Sequence, residues 1–178
     1  AGITYVNQSF DKTLEAKTSL NDQFNFSGEQ NSNISADYQF TFKDFYVFGE
    51  LARSQNNAYA FMNGVTVALA PQMQLALIYR NYAKDYLSFY GDAFAESSTR
   101  NEKGIYLGTE IYPIRNWKIS AYYDNYQFPW LRYNVDAPSY GNDYLVQVDF
   151  TPTRRFTMYL RYKDEQKIIS LNQENFNN

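Results

Sequence analysis

The chain contains no cysteine and no histidine. Without cysteine there are no disulfides and no thiolate metal ligands. Without histidine there is no Ser-His or Cys-His catalysis, and the commonest zinc ligand is missing. No run of about 18 apolar residues occurs, so no transmembrane helix is expected. No excess of positive charge occurs either: the net charge is −3 and the pI about 5.0, which gives no electrostatic footprint for nucleic acid. No secretory leader is visible at Ala1, which leaves open a cleaved leader or a longer parent chain.

What is abundant is aromatic. Phe, Tyr and Trp make up 19% of the 178 residues, with 18 Tyr and 14 Phe. Tyrosine joins an apolar ring to a polar tip and suits boundaries between hydrocarbon and water. With 44% hydrophobic and 20% charged residues, the chain has the material of one ordered domain.

Period-2 alternation runs through most of it. Ile34, Ala36, Tyr38, Phe40 and Phe42 share one face of a segment whose other face carries Ser35, Asp37, Gln39 and Thr41. The same pattern predicts nine strands, near 2–10, 33–42, 45–54, 58–69, 74–82, 104–112, 117–126, 143–151 and 155–164. Connections alternate in length. Short turns fall at 43–44, 70–73, 113–116 and 152–154, and long ones at 11–32, 83–103 and 127–142. The 54–57 connection breaks the rule by being short on the long side. Within 11–32, "DQFNFSG" (22–28) either extends a neighbouring strand or forms one of its own.

Short turns at one end and long loops at the other are the habit of outer-membrane barrels, and about ten residues per strand fits a tilted span. The expected fold is therefore all-β, an antiparallel transmembrane β-barrel of the bacterial outer membrane, forming one region with no second domain. Phe42, Phe45, Tyr112, Trp117, Phe150, Phe156 and Tyr162 fall at strand ends, where girdles form at the lipid interface. Asp37, Glu50, Arg80, Glu110, Lys118, Asp124, Asp149 and Arg161 fall in mid-strand on the polar face and are expected to face the lumen. Nine strands is an odd count, whereas single-chain bacterial barrels are normally even. The "SLNQENFNN" end reads as another outer loop, and Asn178 stands where such barrels often end in an aromatic residue. The expectation is part of a larger barrel. A soluble β-barrel binding an apolar ligand gives the same alternation and stays open as an alternative.

Between the seventh and eighth strands, "YQFPWLRYNVDAPSYGNDY" (126–144) is expected as an outer loop. Pro129 and Pro138 interrupt pairing there. Phe128, Trp130 and Tyr133 would form a rim or pack over the mouth, and Arg132 would pair with Asp136. The 84–104 loop is the other candidate, able to fold inward, cap the lumen or bind a partner. Catalytic residues are not assigned. A carboxylate pair such as Asp124 with Asp149 reads more simply as part of a mixed-charge interior. Ser120 with Lys118 leaves a serine-lysine centre conceivable, so an outer-membrane enzyme acting on lipid or surface glycan is a further alternative. The acidic loops lack EF-hand spacing, and no metal or cofactor is expected.

Several segments resemble a known family: "FGELARS" (48–54), "LIYRNYAKDYLSFYGDAFAESS" (77–98), "NEKGIYLGTEIYP" (101–113), "FPWLRYNVDAPSYG" (128–141) and "TPTRRFTMYLRYK" (151–163). The chain is similar, through these segments and in this order, to large outer-membrane proteins of Bacteroidota, the helix-hairpin-helix domain-containing proteins. The resemblance implies that this segment lies in the barrel-forming region. The family's helix-hairpin-helix region has no counterpart here, so no nucleic acid is expected on this segment. Expected partners are outer-membrane lipid or lipopolysaccharide and other envelope proteins. The expected role is a channel, a transport component or a scaffold in an envelope complex.

Overall fold

The computed structural model describes residues 1–168, apart from Lys17 and Asn134. The 170–178 stretch expected as an outer loop lies outside the described residues. Nine strands form one antiparallel sheet in chain order: β1 (Gly2–Leu14), β2 (Gly28–Phe42), β3 (Phe45–Ser54), β4 (Tyr59–Ala70), β5 (Met73–Tyr82), β6 (Glu102–Ile111), β7 (Trp117–Phe128), β8 (Ser139–Thr153) and β9 (Phe156–Lys167). The described helical content is a single 3-10 turn, Leu20–Asp22. The all-β antiparallel expectation is met. The sheet is open, however: β1 and β9 are its two edges and do not pair with each other. The nine strands do not by themselves make a closed barrel.

The ladders reach further toward the long connections than alternation predicts. β2 begins at Gly28, β8 at Ser139, and β9 continues to Lys167. Gly141 and Asn142 look like loop residues by composition. Gly141 nonetheless pairs with Tyr126 on one side and Lys167 on the other. Backbone hydrogen bonding across three strands outweighs the weak local preference for a turn. "DQFNFSG" forms no strand of its own, and its last residue, Gly28, opens β2.

Register fixes two chemically distinct faces. On one, Ile34, Val47, Val65, Leu77, Leu107, Tyr123, Val146 and Leu160 lie in neighbouring rows. Leu160 is 78% exposed and Val146 44%. Among the described residues, no helix and no second sheet covers this face. The opposite face is polar, and its buried residues lie under the long loops. The small core there is Ala52, Ala58, Ala60, Tyr82 and Tyr86.

The long connections 15–27, 83–101 and 129–138 meet one another. Trp130, after β7, donates its indole N–H to the Leu20 carbonyl, after β1, at 3.3 Å. Its ring also meets Phe24 edge-on at 5.2 Å. Loops leaving strands six places apart can touch only if the sheet is strongly curved, with its polar side concave. Lys84 from the β5–β6 loop lies over both rings, 4.5 Å from Phe24 and 4.3 Å from Trp130, and joins all three connections by cation–π contact.

The lack of native cysteine makes the topology directly testable. Cysteines placed at Ala121 and Val146, which are paired residues of β7 and β8, should oxidise to a disulfide. Cysteines at Thr4 of β1 and Lys163 of β9 should not. Non-reducing gel mobility of the two variants distinguishes the open sheet from a closed one.

Candidate functional site

Three strands place a buried ion network on the polar face. Arg80 of β5 is 0% exposed, as is Glu102 of β6. The Arg80 Nε donates to Glu102 Oε1 at 2.5 Å, while Nη1 and Nη2 donate to the two carboxylate oxygens of Asp124 in β7 at 2.8 and 3.0 Å. This two-pronged geometry uses the planar guanidinium fully and compensates its loss of water.

The reach from β5 across β6 to β7 depends on Gly104. It stands opposite Arg80 in the ladder. A Cβ at that position would lie 2.5 Å from the Arg80 Cζ, so only glycine lets the guanidinium lie across the β6 backbone. The Phe94 ring is stacked nearby, 5.2 Å from the same Cζ.

Glu102 has a second task. Its carboxylate accepts the Glu96 N–H at 2.9 and 3.1 Å and the Ser97 N–H at 3.2 Å. Tyr82 donates to the Phe94 carbonyl at 2.9 Å. The 83–101 connection is thus tied back onto the sheet. Farther along, Asn33 of β2 donates to the Leu87 carbonyl at 2.7 Å, and Lys167 of β9 reaches Glu96 at 2.8 Å. The loop spans the concave side from β2 to β9. Tyr86 packs beneath it, where burial pushes its hydroxyl above the ordinary tyrosine range.

The ladders place each expected lumen residue. Asp37, Glu50, Arg80, Glu110, Lys118, Asp124, Asp149 and Arg161 all fall on the polar side. Glu102, Asp143, Glu165, Lys163 and Lys167 join them there. Among the described strand residues, the polar face therefore holds nine carboxylates, namely Glu29, Asp37, Glu50, Glu102, Glu110, Asp124, Asp143, Asp149 and Glu165. Against them stand five cations, Arg80, Lys118, Arg161, Lys163 and Lys167. The mixed-charge face expected from the sequence is thus in acidic excess. Sequence reading missed Glu102 because it was assigned to a loop. The available signal was its place two residues before Gly104, on the same strand face.

The loop residues divide. Phe128 belongs to the end of β7 and is 1% exposed, against Tyr126. Arg132 lies over the Phe128 ring at 3.8 Å and donates to the Ile168 carbonyl at 2.7 Å. None of the described ion pairs joins Arg132 to Asp136, which is exposed. A short bridge between Arg132 and Val135 turns the chain back before Asp136. Trp130 is held by Asn101, which accepts its backbone N–H at 2.7 Å, and Tyr133 stands exposed.

Of the expected girdle, Phe42 and Phe45 face each other across the first short turn, and Trp117 lies 4.6 Å from Phe150. Phe156 and Tyr162 are exposed on the same apolar side. Tyr112 turns to the other side, its hydroxyl 3.3 Å from Glu110. Lys118 is held between Glu110 at 3.4 Å and Asp149 at 4.0 Å. The Ser120 hydroxyl lacks a hydrogen-bond partner, so the serine-lysine pair is not assembled. Among the described residues, no group of three or more acidic side chains gathers as a metal site.

Removing Arg80 leaves the Glu102 and Asp124 carboxylates on the same face without their shared cation. Arg80→Ala should destabilise the fold by about 3–5 kcal/mol. Gly104→Ala should also lower stability, by displacing the guanidinium. Glu102→Ala should free the loop, so that trypsin cuts at Lys84 or Arg100 sooner than in the native protein. Thermal melts and limited proteolysis read these three outcomes.

Comparison of the chain with protein families, curated proteins and solved structures finds no match.

Proposed function

We propose that this chain is a membrane-embedded part of an outer-membrane β-barrel larger than its own nine strands, serving transport across the envelope, with loop 83–101 narrowing the mouth. The observation that carries the reading is the uncovered apolar face. Isolated exposed side chains need no explanation, but a contiguous apolar surface across a whole sheet does. Hydrocarbon is the surrounding that removes its cost.

The face has the layout such a surrounding requires. From Ile34 to Phe42 it extends about 27 Å along β2, or ~20 Å tall after a tilt of ~40°, near the ~25 Å apolar band of outer-membrane barrels. Toward the long loops it gives way to Arg53, Asn81, Lys103, Asn125 and Asn142. Tyr123 stands at that boundary and donates its hydroxyl to Asn142 at 3.1 Å. Toward the short turns it ends in Phe42, Phe45, Trp117 and Phe150, with Lys43 over the Phe42 ring. Aromatic rings at both boundaries suit the two headgroup layers.

The open edges fit the same reading. β1 and β9 run in the same direction, because an odd number of antiparallel strands separates their starts and ends alike. Backbone groups left unpaired in hydrocarbon cost several kcal/mol each, so further strands would have to pair with both edges. The resemblance to barrel-forming regions of Bacteroidota outer-membrane proteins points the same way. The charged concave side suits a water-filled or loop-filled lumen better than a lipid-binding or catalytic pocket. A scaffold role would use the same wall with the mouth permanently closed by the loops.

Side-specific substitution tests this. In the full-length protein in lipid, Leu107→Arg should cost about 2–4 kcal/mol, as expected for a cation near the membrane midplane. Gln39→Arg, exposed on the polar face at a similar height, should cost well under half as much. Equal effects, or recovery of the protein in the soluble fraction without detergent, would contradict the assignment.

A further inference from the structure

We infer that the polar face selects for cationic solutes. This rests on the transport reading, in which that face lines the lumen. Three observations point the same way. The first is the excess of carboxylates over cations across the face. The second is that four of its five cations are already paired with carboxylates. Arg80 is shared by Glu102 and Asp124, Lys118 by Glu110 and Asp149, Lys163 by Asp143 and Glu165, and Lys167 by Glu96 and Glu165. Arg161 is the exception: it donates to the neutral Gln147 amide at 2.6 Å and keeps its charge. A cation held between two carboxylates presents no net positive charge to a passing anion.

The third observation is local. Asp37 and Glu50 stand directly opposite each other on β2 and β3. Both are exposed on the polar side, and among the described residues neither is in an ion pair. Like charges directly opposite in a ladder are destabilising. A second such pair, Asp124 opposite Asp143, shows how the sheet resolves the conflict: Arg80 bridges one carboxylate and Lys163 the other. The Asp37–Glu50 pair has no such internal cation, so a mobile one is left to neutralise it. Rings of carboxylates produce cation preference in channels by the same electrostatics.

The test uses the full-length protein, native and as Asp37→Asn/Glu50→Gln, both isosteric changes at exposed positions. In planar bilayers under a KCl gradient, the native protein should pass potassium in preference to chloride. The double variant should lose at least about half of that preference without losing conductance. In parallel, the melting temperature in detergent is measured with and without spermine at low salt. Spermine should raise it for the native protein and not for the variant. If no conductance is seen while the spermine difference holds, conduction is refuted and the cation-accepting face stands. Conductance that prefers chloride or neither ion, a preference unchanged in the double variant, or equal spermine shifts would each overturn the inference.

Discussion

Strict alternation along each strand collects hydrocarbon on one face of the sheet, and that hydrocarbon has to be removed from water. At roughly 25 cal/mol per Å², an apolar surface extending over nine strands outweighs any single polar contact in the molecule. A soluble sheet solves the problem with a second layer. Among the described residues this one has no such layer, and its buried side chains cluster on the opposite, polar side. The rest of the architecture follows from that inversion. Ion pairs and loop contacts concentrate on the concave, polar side.

The Arg80 network is where that inward organisation is densest. One guanidinium joins β5, β6 and β7, and one carboxylate in the same network anchors two loop amides. Strand packing and loop position are thereby coupled: a change that disturbs Glu102 acts on both. Gly104 is the backbone condition for the arrangement, since any side chain there occupies the space of the arginine. The three long connections then interlock through Lys84, Phe24 and Trp130, whose contacts need no regular secondary structure.

Strand identity and facing were legible in the sequence because alternation is a local signal, repeated often enough to fix register. That Asp37, Glu50, Arg80, Glu110, Lys118, Asp124, Asp149 and Arg161 share one polar face was readable for the same reason, as were Phe42, Phe45, Trp117 and Phe150 at the strand ends. What was not legible depends on distance. Arg132 was matched with Asp136, its neighbour in sequence, whereas curvature brings the edge of β9 to it instead. Glu102 looked like loop because the ladder, not local propensity, extends β6 to include it. The open edges could be suspected from the odd strand count alone, but whether β1 meets β9 is set by the curvature of the whole sheet.

The central claim is that one face of this sheet meets lipid and the other does not. Spin labels placed one at a time along β8 from Tyr144 to Phe150, in the full-length protein in bilayers, test it most directly. Oxygen, which partitions into hydrocarbon, should broaden the labels at 144, 146, 148 and 150. A water-soluble nickel chelate should reach those at 145, 147 and 149 preferentially. A two-residue period of this phase is the predicted result. Equal access of the chelate to both sets, or a period of opposite phase, would contradict it.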